Sequence, residues 1–186
     1  MGSQKRFLNG KLLLDGGNLA GSFFHRTVVL ICRHDPEGAF GLVLNRPSGV
    51  RVGDALSGDL PEQVKRQPLF VGGPVQPSAL SALLYDPFAP EGDVLPHVSL
   101  THSLEELVEF YREGAPGRKA RIFAGYSGWS PGQLEGEMRR KAWLTHPAKL
   151  DLIFRASPKS LWRKVLEAKG PKYRLIALAP ENPAWN

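Results

Sequence analysis

The sequence predicts an α+β fold built on a bent, mainly antiparallel sheet with a few flanking helices. Short apolar segments rich in Val, Ile, Leu and Phe recur along the chain between Gly, Pro and Asp residues, as strands do. Helical patterns are few, and they cluster after residue 100. The chain therefore lacks the regular alternation of strand and helix that builds a parallel sheet.

Nine segments have the composition and length of strands. Gly, Pro or Asp residues bound them, and β-branched or large apolar residues fill them. The segment 86–96 contains three prolines and is predicted to be a loop rather than a domain linker. The predicted strands cover residues 10–14, 27–33, 39–45, 68–71, 81–85, 97–101, 120–126, 149–154 and 173–178.

Two helices have clear start signals. The first begins at Ser103, where Glu106 completes a capping box, and its apolar residues follow a 3.6-residue spacing. The last begins at Ser157, with Pro158 at the first helical position, and ends at Gly170. The second of these helices is predicted to bury Leu161, Trp162, Val165 and Leu166.

A five-residue motif resembles the nucleophile elbow of serine hydrolases, since residues 128–132 spell GWSPG, a G-x-S-x-G. In an elbow the residue after the nucleophile donates its backbone N–H to the oxyanion hole, and Pro131 has no N–H. No histidine follows Asp151, although the elbow fold places one after its acid. Ser130 is instead predicted to be the N-cap of a helix that runs to Lys141, with Pro131 at the first helical position and Gln133 at the third closing a capping box. The motif does not indicate an enzyme.

The composition limits the classes of protein to which this chain can belong. A chain of 186 residues with 42% hydrophobic content can bury one sizeable core, so one domain spanning 1–186 is expected, with 1–6 and 180–186 loosely held. No apolar run approaches the ~20 residues of a membrane helix, and the first residues lack the apolar region of a signal peptide. The single cysteine, Cys32, lies in a predicted strand, where a buried thiol is expected. We expect a cytoplasmic protein with no membrane contact.

The net charge of +6 lies in the second half of the chain. Residues 1–93 balance, whereas 138–174 carry 11 basic residues against two acidic ones. Such a stretch is either a solvated surface or a site of weak, non-specific attraction for nucleic acid or another polyanion. No known nucleic-acid-binding motif accompanies it. The candidate polyanion patch comprises Arg139, Arg140, Lys141, Arg163 and Lys164.

The sequence contains no pattern typical of a metal-binding or cofactor-binding site. The five histidines show neither the H-x-x-x-H nor the H-x-H spacing that places two ligands together. The Gly pairs at 16–17 and 72–73 are too sparse for a phosphate loop, and no Gly-Lys-Ser/Thr follows them. We therefore predict no metal and no cofactor.

Three stretches share one pattern, in which an apolar strand runs into a Gly/Pro turn with polar or aromatic residues. They are LVLNRPSG (42–49), LFVGGPVQP (69–77) and IFAGYSGWSPGQ (122–133). If the strands are neighbours, these turns form one rim that binds a ligand or a partner. The alternative is turn chemistry alone, with glycines for positive φ and a packed tryptophan. The candidate rim comprises Asn45, Arg46, Gly72, Gly73, Trp129, Gln133 and Glu137.

These stretches also carry a family resemblance. Residues 10–47 (GKLLLDGGNLAGSFFHRTVVLICRHDPEGAFGLVLNRP), 71–76 (VGGPVQ) and 125–138 (GYSGWSPGQLEGEM), followed by Trp143, resemble the AlgH/YqgE-type bacterial proteins. The resemblance implies a complex α+β domain whose bent sheet curls into a pseudo-barrel. It implies little about function, because the family is largely uncharacterised and one branch is labelled a transcriptional regulator. Residues 83–87 (LLYDP) and the Asp15-Gly16-Gly17 turn depart from the pattern of that family.

The functional expectation is a non-catalytic binding or regulatory module with its site at the rim. Its partner would be an unknown protein or a small anionic ligand. The alternative is a transcriptional regulator or nucleic-acid-associated protein that acts through the basic C-terminal half. A cryptic hydrolase is the third possibility.

Overall fold

A computed structural model describes residues 7–178, which form nine strands and seven helices. The terminal segments expected to be loosely held, 1–6 and 180–186, lie outside the described residues. The strands are β1 (Lys11–Asp15), β2 (Val28–Asp35), β3 (Gly38–Val43), β4 (Pro47–Arg51), β5 (Pro68–Val71), β6 (Val75–Tyr85), β7 (Val98–Thr101), β8 (Lys119–Trp129) and β9 (Trp143–Pro147). The helices are α1 (Val52–Ala55), α2 (Glu62–Lys65), α3 (Leu104–Arg112), α4 (Gln133–Arg139), α5 (Leu150–Phe154), α6 (Pro158–Ala168) and α7 (Pro171–Leu178).

All nine strands belong to one sheet, in the order β4-β5-β8-β3-β2-β1-β9, with β6 joined to β8 and β7 joined to β6. Within residues 7–178, hydrogen-bonded neighbouring strands are antiparallel, except β5 and β8, which are parallel. The sheet is bent but does not close into a barrel along this order. The predicted α+β class with a mainly antiparallel sheet is confirmed.

The bend lies along strand β8, which serves two halves of the sheet. Ile122–Ala124 pair with β5 on one side and β6 on the other, whereas Ser127–Trp129 pair with β3. Gly125, between these stretches, has φ +70°, a conformation that glycine adopts without strain. The register of β6 against β8 also shifts between Val75 and Leu80. One strand thereby links both halves of the sheet at an angle.

Three hydrophobic clusters pack on this sheet. The largest joins both halves of the sheet to α5, α6 and α7. The second packs α1, α2 and α3 on the other face of the β5, β6 and β8 half. The third packs α4 and the loop before β2 on the other face of the β1, β2 and β3 half. Leu12 and Leu14 enter the first cluster and Leu13 the third, as the alternation of side chains along a strand requires.

Two predicted strands are wrong, because residues 149–154 and 173–178 lie in helices α5 and α7. Short apolar runs fit a buried strand or a short buried helix equally well, and packing against β8 and α6 decides for helix. Strands β4 and β9 were not predicted. All five residues of β4 are exposed and include Pro47, and β9 includes a His and a Pro.

The helix after the G-x-S-x-G motif starts later than predicted. Gly132, with φ +76°, occupies the N-cap position of α4, and Ser130 lies outside the helix. The Gln133 side chain accepts a hydrogen bond from the Ser130 N–H at 3.0 Å, which is half of the predicted capping box. Among described residues, the exposed Ser130 hydroxyl has no hydrogen-bond partner. Gln133 therefore closes this turn, and Ser130 is not the cap.

The helices found within residues 7–178 lack the length and apolar content needed to cross a membrane.

Candidate functional site

The backbones of the three strand-end turns meet. The Val71 N–H donates to the Arg46 carbonyl at 2.8 Å, and the Val43 N–H donates to the Gly72 carbonyl at 2.9 Å. The Gly72 N–H in turn donates to the Ala124 carbonyl at 2.9 Å. The turns are thus neighbours, as the rim hypothesis requires of their main chain.

Gly72 and Gly73 are buried where two of these turns cross. A Cβ on Gly72 would lie 2.4 Å from the Gly125 carbonyl oxygen, and one on Gly73 would lie 2.1 Å from the Tyr126 carbonyl carbon. No side chain fits at such distances. The two glycines therefore permit a close crossing of backbones.

Trp129, Gln133 and Glu137 form a separate group on the α4 side of the sheet. One oxygen of Glu137 accepts hydrogen bonds from the indole N–H of Trp129 at 2.9 Å and of Trp143 at 2.7 Å. Its other oxygen accepts from the Gln133 amide at 3.1 Å. Both indoles are buried, and Phe24 packs against them. The carboxylate thus links α4, β8 and β9.

Asn45 and Arg46 instead hold the loop that precedes β2. The Asn45 amide accepts from the Val28 N–H at 2.9 Å and donates to the Arg26 carbonyl at 2.8 Å. Arg46 donates from one terminal nitrogen to the His25 carbonyl at 2.6 Å. The structure therefore places the side chains of the predicted rim in two groups, one around Glu137 and one around Arg46.

A buried carboxylate that sequence reasoning did not identify as important organises the same loop. The Asp15 carboxylate accepts from the backbone N–H groups of Gly17 at 2.8 Å, Leu19 at 3.1 Å and Arg26 at 2.8 Å. The Asp15 carbonyl accepts from the Trp162 indole at 2.9 Å. The signal available in the sequence was an aspartate followed by two glycines, which is typical of a side chain that caps its own turn.

Arg46 lines a cleft of about 570 Å³ between the β3–β4 turn and the start of α6. Four of its lining side chains are cationic, and none of the described residues that line it is acidic. The Arg26 guanidinium lies 5.0 Å from the ring centroid of Trp162, the aromatic residue of the lining. We call this space the cationic cleft; its lining comprises Arg26, Asn45, Arg46, Pro47, Pro158, Lys159, Ser160, Trp162 and Arg163.

The start of helix α6 adds to the positive potential of the cationic cleft. Ser157 is its N-cap residue and makes no side-chain capping bond, and Pro158 follows at the first helical position. The amino end of a helix carries a partial positive charge of about half a unit. Lys159 and Arg163 project from the first two turns at i and i+4. Neither makes an ion pair within residues 7–178.

A buried arginine lies behind one wall of the cleft. Arg121 is only 8% exposed; its guanidinium lies 4.1 Å from the ring centroid of Phe70 and donates to the Ile153 carbonyl. Burial lowers its pKa to about 10, so it is still charged at neutral pH. Phe70 is the strand partner of Pro47, which lines the cleft. No carboxylate among the described residues pairs with Arg121.

The predicted polyanion patch does not form one surface. Arg139, Arg140 and Lys141 are exposed at the end of α4, on one face of the β1–β3 sheet. Arg163 and Lys164 belong to α6, which packs on the other face. Of the five residues, only Arg163 lines the cationic cleft.

A serine and a histidine lie within hydrogen-bond distance elsewhere. The Ser81 hydroxyl is 2.9 Å from Nδ1 of His102, and Phe40 packs edge-on against the histidine ring. Ser81 is only 2% exposed, so a substrate carbonyl cannot approach its hydroxyl. His102 donates no hydrogen bond to a described carboxylate that would orient its ring. This pair therefore lacks the geometry of a nucleophile and its base.

Metal-ligating side chains do not cluster in the part of the chain that the structure describes. The single thiol, Cys32, is buried in β2, and burial raises its pKa, so it is not a reactive thiolate.

Comparisons with known proteins cover nearly the whole chain. Residues 12–174 match the model of a protein family described as AlgH-like, DUF179. A UPF0301 protein of Chlorobium luteolum is 37% identical over 185 residues, which cover 98% of this chain and 96% of that protein. A UPF0301 protein of Streptomyces avermitilis is 36% identical and covers 96% of this chain and 95% of its own.

Two solved structures have the same fold. The solution structure of the AlgH protein from Pseudomonas aeruginosa has a TM-score of 0.74 at 28% identity, over 97% of this chain and 98% of that one. A crystal structure of a protein from Corynebacterium diphtheriae has a TM-score of 0.71 at 21% identity, over 96% and 95% of the two chains. The second similarity is one of fold alone.

Proposed function

The chain belongs to the AlgH-like family, as the sequence predicted, and we propose that within it this protein is a non-catalytic binding module whose cationic cleft holds a small, multiply charged anion. One observation carries the proposal. Arg46 of the β3–β4 turn and Lys159 and Arg163 of α6 are more than 100 residues apart in sequence and line one cleft, and none of the described residues that line it is acidic. Like charges gathered in this way repel one another, and a bound anion relieves that repulsion.

The charge of the cleft favours a ligand with more than one negative charge. A single carboxylate can occupy one guanidinium fork, whereas a phosphate or diphosphate offers several oxygens to Arg46, Lys159 and Arg163 together. The partial positive charge at the amino end of α6 adds to this attraction. A volume of about 570 Å³ exceeds what a bare phosphate fills and lies in the range of small-molecule sites. We therefore propose an organic phosphate or diphosphate.

A small ligand accords better with the charge distribution than a nucleic acid does. A duplex needs a continuous basic surface, but the basic residues of α4 and α6 lie on opposite faces of the sheet. Transcriptional regulation by direct DNA contact is accordingly the weaker candidate. The proposed module would also engage a protein partner in the cytoplasm, in response to its anionic ligand.

Calorimetric titration of the protein with pyrophosphate at low salt tests the proposal. Lys159→Gln is the cleanest variant, because Lys159 is exposed and makes no ion pair or side-chain hydrogen bond among described residues. We expect this variant and Arg163→Gln each to weaken binding about tenfold, as the loss of one charged contact does. Raising the salt concentration should weaken binding further.

The matched control is Arg139→Gln combined with Arg140→Gln, which removes two positive charges on the other face of the sheet. It should leave affinity within about twofold, since those charges are screened from the cleft. If the control and the cleft variants weaken binding equally, the loss comes from the change in net charge and not from the cleft. Absence of any binding heat for the wild-type protein would reject the proposal.

A further inference from the structure

A groove rimmed by acidic residues lies beside helix α3, outside the cationic cleft. Helix α3 and the 57–60 loop enclose about 520 Å³. Leu60, Leu104 and Val108 contribute apolar surface, and the exposed Glu105 and Glu109 stand at the edge. Asp59 and Glu106 add two more carboxylates, against one cation, Arg112, which lies 3.8 Å from Glu109, so the lining keeps an excess of negative charge. We call this feature the acidic groove.

Helix α7 presents the complementary chemistry. Leu175 and Leu178 are 75% and 71% exposed, respectively, and they share one face of the helix because they are three residues apart. Lys172 and Arg174 are exposed beside them, three and four residues before a leucine. The other face of α7, which includes the buried Ala177, packs on α6 and the main core. This face of α7 is therefore apolar in its centre and basic at its edge.

The two features match in length as well as in charge. Helix α3 has nine residues and α7 has eight, or about 13 Å and 12 Å of helix. An amphipathic helix binds a groove through apolar residues at i, i+3 and i+4, and flanking charges set its orientation. Leu175 and Leu178 have the spacing that such anchors need.

The contact cannot form within one chain. The acidic groove belongs to the cluster of α1, α2 and α3 on one face of the β5, β6 and β8 half of the sheet. Helix α7 packs in the main cluster on the other face. Because the sheet separates them, α7 of a chain can reach the groove only of another molecule.

We propose that the acidic groove binds helix α7 of a second copy of this chain, with Leu175 and Leu178 against Leu104 and Val108. Lys172 and Arg174 would then face Glu105 and Glu109. The contact is heterologous, because it joins two different surfaces of the same chain. It is independent of the anion proposed for the cationic cleft.

Sedimentation equilibrium on the full chain, at concentrations up to about 1 mM, tests the proposal with charge-reversed variants. The groove variant carries Glu105→Lys and Glu109→Lys; the helix variant carries Lys172→Glu and Arg174→Glu. Glu105 accepts a hydrogen bond from Ser103 and Glu109 pairs with Arg112, so the groove variant should melt somewhat below wild type but stay folded, whereas the helix variant should keep the wild-type melting temperature. We expect wild type to associate and each variant alone to associate at least tenfold more weakly, because like charges meet.

Two combinations distinguish a specific contact from a change in net charge. A chain with all four substitutions has the wild-type net charge and swapped surfaces, and it should associate as wild type does. The groove variant and the helix variant, mixed one to one, bring opposite charges together again at the contact, so the mixture should associate as wild type does although each variant alone does not. A further variant, Leu175→Ser with Leu178→Ser, should be monomeric with either charge pattern.

Three results would overturn the proposal. A wild-type protein that stays monomeric at about 1 mM would exclude the contact. Failure of the four-residue variant to recover association would show that the charges do not face one another. If wild type is monomeric but binds vesicles of an anionic lipid through Leu175 and Leu178, α7 is a membrane-surface helix instead.

Discussion

At the scale of single residues, the Glu137 carboxylate links helix α4 to strands β8 and β9. It accepts hydrogen bonds from two buried indoles and one side-chain amide, so its charge is neutralised by donors and not by a cation. The sequence suggested Glu137 as part of a binding rim, as a carboxylate that Arg46 could face, but Arg46 donates to the His25 carbonyl. It could not reveal that Trp143, from the next strand, would be the second indole donor.

Glu137→Gln should destabilise the protein by about 1–3 kcal/mol, because the amide keeps one acceptor where three donors converge. Urea denaturation measures the free energy of unfolding. Glu167→Gln, on the exposed face of α6, is the matched control and should change it by less than about 0.5 kcal/mol. Equal effects of the two substitutions would show that Glu137 does not link the elements around it.

Two residues at the turn before α4, Ser130 and Gln133, differ in how much they stabilise it. Ser130→Ala should change stability by less than about 0.5 kcal/mol, because the exposed hydroxyl has no partner among described residues. Gln133→Ala should cost about 0.5–1.5 kcal/mol, because it removes bonds to the Ser130 N–H and to Glu137. Thermal denaturation of both variants checks the order. If Ser130→Ala lowers stability more than Gln133→Ala does, Ser130 is the helix cap.

His146 should make stability depend on pH. Partial burial, and secondarily the charges of Lys169, Lys149 and Lys11, hold its pKa below the usual 6.5. The unfolded chain therefore binds the proton more tightly, so the stability from this group is present above pH 6.5 and is lost as the pH falls through the folded pKa. His146→Gln should lose less stability than wild type between about pH 7.5 and pH 5. Parallel stability profiles would contradict this assignment.

At the scale of elements, the strand-end turns are defined by how closely their backbones cross. The sequence predicted strands β1, β2, β3, β5, β7 and β8 near their observed positions, because their apolar runs are bounded by strong turn residues. It did not predict that Gly72 and Gly73 would be buried against another turn. Those contacts join residues more than 50 positions apart, which no local pattern encodes.

Gly73→Ala should prevent folding or remove most of the stability, since the added methyl would overlap the backbone at Tyr126. Gly58→Ala is the informative control, because Gly58 has φ +136° but nothing within 4 Å of the added carbon. It should cost only about 1–3 kcal/mol through backbone strain. Circular dichroism melting curves compare the two. A folded Gly73→Ala protein with a near-normal melting temperature would show that the backbones at Gly73 and Tyr126 do not cross this closely.

Elements with ambiguous local patterns account for the errors in the sequence prediction. Residues 149–154 and 173–178 alternate neither with period two nor cleanly with period 3.6, and their packing partners decide that they are helical. Strand β4 was missed because all its residues are exposed, so the hydrophobic pattern that indicates a strand is absent. Tertiary pairing with β5 makes it a strand.

At the scale of the whole molecule, the bent sheet decides which charges act together. The sequence showed an excess of basic residues after residue 138, but it could not show that α4 and α6 lie on opposite faces. Conversely, Arg46 and Arg163 are separated by more than 100 residues and line the same cleft. The candidate site is therefore a product of tertiary folding; the sequence anticipated Asn45, Arg46 and Arg163 as candidates but not that they would line one cleft.

The central claim, that the cationic cleft is the binding site of the molecule, is tested most directly by mapping where an anion binds. Titration of ¹⁵N-labelled protein with pyrophosphate at low salt reports the backbone amides that sense the ligand. We expect saturable shifts at the amides of Asn45, Arg46, Ser157 and residues 159–163, with little change at 139–141. Shifts centred on 139–141, or small unsaturable shifts spread over every basic segment, would contradict the claim.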